Sequence, residues 1–393
     1  MNPHDIRLLG PMPDMLRTAP EPIAPIVTPA GDRMWLVRDY ALARLVLSDR
    51  RFSRSRAVAP QAPKFLDTQP VPESVMSMDG SDHARLRRVT ARAFSAQRIA
   101  ALTPLVENLV DEQLALMAAA GPPLDFAAGP ATHLPIAVMC GLLGVPADDI
   151  DRFRDCVSVL FDIEATPEDG ARRRLELARY MTRLLAGKRR RPGEDLLSVL
   201  IAEHERGGLT RSELHTMGLT LLMAGFESTI GQITLAVLAL LNDPETARIL
   251  RDKPESVPTV VEELLRLNSA SVVTFPRVAV EPVPVGGVTV QAGEAVVVSM
   301  LDGNRDAAVF PEPDRLALDG RDPVHLAFGH GTHRCLGAPL ARLQLQVVLT
   351  RLFARFPTLR LADTPDPVVW KDGLATRGLV RLMVDWEPGD GHR

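Results

Sequence analysis

The chain has 393 residues, 46% of them hydrophobic, with a net charge of −4 and a pI near 6.2. That supports a large buried core and leaves no electrostatic footprint for nucleic acid. Three cysteines, Cys140, Cys156 and Cys335, in so long a chain exclude a disulfide framework and point to a reducing compartment.

Residues 1–30 are proline-rich and hold no apolar run of signal-peptide length. IVTPAGDRMWLV (26–37) predicts a hairpin turning at PAGD, and RDYALARLVLSD (38–49) predicts a helix. Residues 57–75 are irregular and rich in proline, which suits a spacer or a functional lid. From Asp82 to Phe94 the pattern is helical and strongly basic, and helices continue over 96–120, 131–143, 147–163 and 168–186. The run Lys188, Arg189, Arg190 and Arg191, between Gly187 and Pro192, reads as a solvated turn.

Thr210 and Glu213 form a capping-box signature. It opens one helical run to Leu241 that stops at Asn242, Asp243 and Pro244. Some 30 residues at ~1.5 Å each span about 45 Å. Met217 to Leu241 is the most apolar part, but Glu227, Gln232 and several hydroxyls interrupt it. It reads as a buried helix and not a membrane span. Another helix covers 256–267. The period then changes, and VAVEPVPVGGVTVQAGEAVVVSM (278–300) alternates like strands with GG and AG turns. GLATRGLVRLMVDW (373–386) also reads as strand. The strands are too few and too distant for a doubly wound sheet, and no repeat or linker divides the chain. The expectation is a single domain over residues 1–393, mainly α with a small β region, in a cytoplasmic protein.

FGHGTHRCLG (328–337) carries the chemistry worth weighing. His330, His333 and Cys335 offer three zinc ligands, but a structural zinc site needs a fourth, and Cys140 and Cys156 stand in no short-spaced pair. Both of those read as small buried hydrophobes. A merely packed Cys335 leaves Gly329, Gly331 and Gly337 unexplained, because such glycines mark tight turns or close approach. The third reading is a thiolate, presented just before a helix whose first turn holds Pro339. With flat Phe328 nearby, that suits an axial ligand to a planar iron macrocycle.

At this point the stretch resembles the haem-binding signature of soluble bacterial cytochrome P-450 enzymes. Ala224 to Thr229, AGFEST, resembles the family's oxygen-activating segment. Glu263 and Arg266 match its E-x-x-R motif, and Phe310 to Arg315 resembles the segment that supplies a second arginine to that cluster. His83 and Arg87 resemble the H-x-x-x-R of its propionate-binding helix. These motifs stand in the family's order from residue 83 to 337.

The resemblance implies a single-domain P-450 fold with a long central helix over haem b. It implies Cys335 as the iron ligand, and His83, Arg87, Arg277 and His333 as partners of the propionates. Gly225 leaves room for O2, and Glu227 with Ser228 and Thr229 relays protons over the haem. The family's usual threonine directly after the acid is Ser228 here, which keeps the hydroxyl and loses the β-branch. Glu263, Arg266 and Arg315 form a buried network without chemistry. Substrate contacts fall in 57–78, 153–185, 224–232, Ala270 to Phe275, and Leu374 to Thr376, which suits a medium-sized, largely apolar molecule.

The implied activity is a haem-thiolate monooxygenase of bacterial specialised metabolism, hydroxylating or epoxidising its substrate. The implied partners are a ferredoxin and an NAD(P)H-dependent ferredoxin reductase, serving a monomeric, membrane-free enzyme. Oxidative C–C or C–N coupling on the same fold, and a non-catalytic haem protein, are the alternatives.

Overall fold

The computed structural model describes residues 21–66, 71–146, 149, 167–318, 324–371 and 376–387. The expected helix over 147–163, Cys156, and Leu374 with Ala375 lie outside them.

In chain order, the described elements that matter here begin with strands β1 (Ile23–Val27) and β2 (Arg33–Val37) and helix α1 (Tyr40–Ser48). Strand β3 (Phe52–Ser53) leads to helices α2 (Gly80–Ala93) and α3 (Thr103–Ala120). Strand β4 (Leu124–Asp125) precedes helices α4 (Thr132–Leu143), α5 (Pro167–Arg190), α6 (Leu196–Glu205) and α7 (Arg211–Ala224). Helices α8 (Glu227–Leu241), α9 (Pro244–Asp252) and α10 (Val257–Leu267) follow. Then come strands β5 (Arg277–Ala279), β6 (Val283–Val285), β7 (Val288–Val290) and β8 (Ala295–Val298), and helix α11 (Ala338–Arg355). Strands β9 (Arg360–Leu361), β10 (Val368–Trp370) and β11 (Leu379–Asp385) close the chain.

The chain packs as two compact units. One comprises Met1–Ala84, Glu255–Ala338 and Leu374–Arg377. It is organised on a sheet of order β1-β2-β8-β5-β3. β2 and β8 run parallel, with Trp35, Leu36 and Val37 opposite Val296, Val297 and Val298. Side chains alternate across a strand, so one face carries Val37, Val296 and Val298, packed with Ala43, Val46 and Phe52. The other face carries Leu36, Ala295 and Val297, packed with Ile26, Phe65 and Val272. Both faces are covered, which is why β8 reads as an unbroken apolar run.

The other unit comprises Arg85–Pro254, Pro339–Gly373 and Gly378–Arg393. It is mainly helical, with a small sheet in which β11 pairs with β10, β4 and β9. α8 is buried almost all round from Ile233 to Leu240, as a helix apolar on every side must be. The segment Arg211–Leu241 is long and apolar enough to cross a membrane, but 67% of its most apolar window is buried inside the protein.

The structure departs from the sequence reading in three places. The run from Thr210 to Leu241 is two helices, broken at Gly225 and Phe226. Its capping box forms as expected: Glu213 N–H donates to Thr210 Oγ1 at 3.1 Å, and Thr210 N–H donates to Glu213 Oε2 at 2.8 Å. Lys188, Arg189 and Arg190 do not form a turn but close α5, where cations meet the negative helix end. Lys188 pairs with Asp195 at 2.6 Å, the residue that caps α6. Finally, Asn242, Asp243 and Pro244 stop one helix and start another: Asp243 caps α9 and Pro244 sits in its first turn.

Candidate functional site

The cysteine loop begins where Cys335 N–H donates to the Phe328 carbonyl at 2.8 Å, closing the stretch on itself. Gly329 and Gly331 have φ of 67° and 70°, the left-handed region that favours glycine. Gly331 also lies hard against α1, where an added Cβ would collide with the Leu47 carbonyl oxygen. Left-handed strain costs an alanine ~1–2 kcal/mol, and overpacking typically adds ~1–3 kcal/mol. Gly331→Ala is therefore expected to lower the thermal midpoint by several degrees and to reduce haem content in purified protein, read by absorbance. Cys335 itself is exposed, whereas Cys140 is buried in α4 with its thiol pushed up to about 12 by desolvation. Of the two, only Cys335 is presented as a ligand. Among the described residues, no group of three or more His, Cys, Asp or Glu side chains is gathered to hold a metal ion.

Next to this loop, the same unit gathers cationic and neutral donors around a single carboxylate. His83, in the first turns of α2, is 5% exposed and stacks on His333 with ring centroids 4.1 Å apart. His333 Nε2 lies 3.5 Å from Asp79 Oδ1. Asp79 also accepts from Ser53 Oγ at 2.7 Å and from Ser55 N–H at 2.8 Å. Burial pushes the Asp79 carboxyl up, but the bonds from His333, Ser53 and Ser55 outweigh it and hold it well below the ordinary carboxylate range. Arg54 and Arg277 are both buried beside it. Burial, and then the neighbouring Arg277 charge, lower Arg54 to about 10. Burial likewise lowers Arg277 to about 10, against the pull of Asp79. His333 is lowered first by burial, and further by Arg277 and Arg54.

Arg54 Nε donates to the Met76 carbonyl at 3.0 Å, and its fork also reaches the Pro276 carbonyl. Among the described residues, Arg277 makes a 3.5 Å bond to the Phe52 carbonyl. Two buried guanidiniums and two imidazoles near the Asp79 carboxylate form a cation-rich donor set suited to further carboxylates. Of the expected propionate partners, the structure thus brings His83, Arg277 and His333 together. Arg87 lies one turn further along α2 and is half-buried. Sequence reasoning missed Arg54 and Asp79; their only signal was position, just after a short strand and just before α2. His330 instead meets Arg44 at 3.5 Å, outside this cluster.

The E-x-x-R pair is buried as expected, but its third member is not. Arg266 is 2% exposed and meets Glu263 through two bonds, of 2.9 and 2.8 Å. It also donates to the carbonyls of Asn304, Pro313 and Arg315. The Arg315 guanidinium turns outward, 72% exposed, to Glu312. It contributes its main chain and not its charge. A better-shielded arginine is Arg305, 19% exposed, which pairs with Asp314 at 3.2 Å and donates to the Leu267 carbonyl.

In the helical unit, the break between α7 and α8 falls within the AGFEST segment. Gly225 has φ −90° and ψ −11°, and Phe226 has φ −118° and ψ −45°. A Cβ on Gly225 would meet the Met139 sulfur. Thr229 Oγ1 donates to the Gly225 carbonyl at 3.1 Å, satisfying an acceptor at the break. Glu227 opens α8, where the helix dipole favours an acid, and pairs with Lys371. Ser228 is half-buried beside it.

The family model for cytochrome P450 matches residues 255–377. The chain is 45% identical to nocardicin C N-oxygenase of Nocardia uniformis subsp. tsuyamanensis, over 94% of this chain and 93% of that one. It is 41% identical to mycinamicin IV hydroxylase/epoxidase of Micromonospora griseorubida, over 98% and 96%. A solved structure of the mixed-function P450 MycG in complex with mycinamicin IV superposes with a TM-score of 0.89 at 39% identity, covering 97% of this chain and 98% of that one. The chain belongs to the cytochrome P450 family.

As a P450 it is a haem-thiolate monooxygenase of bacterial specialised metabolism, using O2 and electrons from redox partners to oxidise a small organic molecule. The residues present fit the haem: an exposed thiol on a glycine loop, beside buried arginines, matches a ring that needs an axial sulfur and carries two carboxylates.

Proposed function

We propose that Cys335 ligates the haem iron and that His83, Arg87, Arg277 and His333 seat the propionates, with Arg54 added to that set. The observation that carries this reading is the buried cluster of Arg54, Arg277, His83 and His333 around Asp79, on the unit that presents the cysteine loop. Phe328 flanks the ring and Gly225 leaves room for O2. Residues 1–393 make up a single cytochrome P-450 domain.

The haem, when bound, supplies O2 activation, and thiolate ligation favours O–O cleavage. The chain supplies the proton path. Glu227 takes up a proton on its carboxylate and Ser228 passes it on through its hydroxyl. Thr229 steadies the opened turn through its bond to the Gly225 carbonyl. Electrons come from a ferredoxin and its NAD(P)H-dependent reductase, and the enzyme works as a cytoplasmic monomer. The substrate is medium-sized and largely apolar, as the mostly apolar segments expected to contact it suggest.

Ser228→Ala tests the relay. A screen with a surrogate ferredoxin system first identifies a small molecule that is turned over. The variant is then expected to form less product per NAD(P)H consumed, with haem content and folding unchanged. An unchanged ratio removes Ser228 from the proton path. Product mass settles the reaction type, because oxygen insertion adds one oxygen atom, whereas coupling loses hydrogens and adds none.

A further inference from the structure

The cysteine loop is entered through Leu326, in the unit that also holds α10. Leu326 is buried in an irregular stretch, so its N–H must find an acceptor outside any helix or sheet. The acceptor is a side chain: Asn304 Oδ1 accepts from Leu326 N–H at 2.5 Å. Asn304 is fully buried and closes the short helix Met300–Gly303. Ser299 caps that helix, accepting from Asp302 N–H at 3.2 Å. Gly303 clears the way, since an added Cβ there would lie 2.8 Å from Leu326 Cδ1. Gly303 and Asn304 thus receive the side chain and the N–H of the same residue.

From Leu326 the bonds run on to the thiol. Its carbonyl accepts from Gly329 N–H at 2.7 Å, and the Phe328 carbonyl accepts from Cys335 N–H at 2.8 Å. Between them, Ala327 N–H donates to His325 Nδ1 at 3.2 Å. Asn304 itself is held from α10, where Arg266 donates to its carbonyl at 3.0 Å. Its own N–H donates to the Met300 carbonyl at 3.0 Å. Asn304 therefore joins the Arg266 network to the loop. The Leu326 N–H fixes which way the amide turns, because the opposite orientation would set donor against donor. Asn304 Nδ2 is buried and has no hydrogen-bond partner among the described residues. Burying that group is costly, and the Oδ1 bond offsets the cost, so the residue is held for its acceptor.

We propose that Asn304 is a positioning residue for the iron ligand: through Leu326 it sets where the loop presents the Cys335 sulfur. This inference rests on the reading of Cys335 as the ligand and adds the residue that aims it.

The test uses the full-length, haem-loaded protein. The carbon monoxide difference spectrum of the reduced protein gives the ratio of displaced-sulfur to thiolate-type Soret signal. Asn304→Leu has a similar shape but no acceptor, and is expected to raise that ratio about fivefold, as the loss of one hydrogen bond would. Asn304→Asp keeps an oxygen facing Leu326 N–H and is expected to stay within about twofold of wild type. Ile26→Ala truncates the core on the edge strand β1 of the same unit and lowers stability by another route. It is expected to leave the ratio unchanged.

A wild-type ratio in Asn304→Leu overturns the inference. So does an equal rise in Ile26→Ala for an equal fall in thermal midpoint, which makes the effect one of stability alone. An Asn304→Asp ratio as high as that of Asn304→Leu overturns it too, since the acceptor is then not what matters. These outcomes leave Cys335 as the ligand. A Cys335→Ala protein that keeps the thiolate-type signal fails that reading instead. Should Asn304→Leu not fold, amide exchange on the wild-type holoenzyme decides. The N–H groups of Leu326, Gly329 and Cys335 are expected to exchange slowly and together. A Leu326 N–H that exchanges at the rate of an open loop overturns the inference.

Discussion

Cys335→Ala is expected to abolish monooxygenase turnover and to remove the thiolate-type Soret band from the carbon monoxide difference spectrum of the reduced protein. Cys140→Ala is expected to keep both. The contrast follows from where each sulfur stands. Cys335 is exposed on a loop held by its own N–H bond to Phe328, with a helix beginning three residues later at Ala338. Cys140 is fully buried in a helix whose surroundings keep its thiol protonated. A thiol in an apolar core is inert as a ligand, so its loss removes packing and not chemistry. The reading would be overturned by a Cys335→Ala protein that folds, binds haem and still shows the thiolate band.

The haem loop was legible because its demands are local. Glycines at 329 and 331 take the left-handed conformation of tight turns, as their density suggested, and Cys335 is exposed beside them. The cationic cluster around Asp79 was half legible. His83, Arg277 and His333 could be placed by resemblance, whereas Arg54 and Asp79 belong to the cluster only because the fold brings residues 54, 79, 277 and 333 together. No periodicity announces such a meeting. Ion-pair partners were the least legible part, because they depend on which way a long side chain turns. Arg315 carries the motif, yet points outward to Glu312, while Arg305 is the better-shielded of the two, paired with Asp314. Lys371 carries no motif at all and still meets Glu227.

The same distinction between a motif arginine and a buried one yields the second large effect. Arg266→Ala is expected to destabilise the protein by about 3–5 kcal/mol, the usual cost of removing one partner of a buried ion pair. Arg315→Ala is expected to change stability by less than about 0.5 kcal/mol, as surface substitutions do. Arg266 fills its fork completely: Nε and one NH2 meet the Glu263 carboxylate, and the remaining bonds reach the carbonyls of Asn304, Pro313 and Arg315. Its removal would strand three carbonyls and, among the described residues, leave Glu263 with the Ala317 N–H as its remaining donor. Arg266→Lys keeps the charge but not the fork, so it should recover only part of the loss. Urea unfolding midpoints of the three variants, with haem content measured alongside, check the order. The segments that Arg266 ties together run from Asn304 to Arg315, in the same unit as the cysteine loop. Haem content should therefore fall with stability in Arg266→Ala and hold in Arg315→Ala, even though neither residue touches the ring's donors.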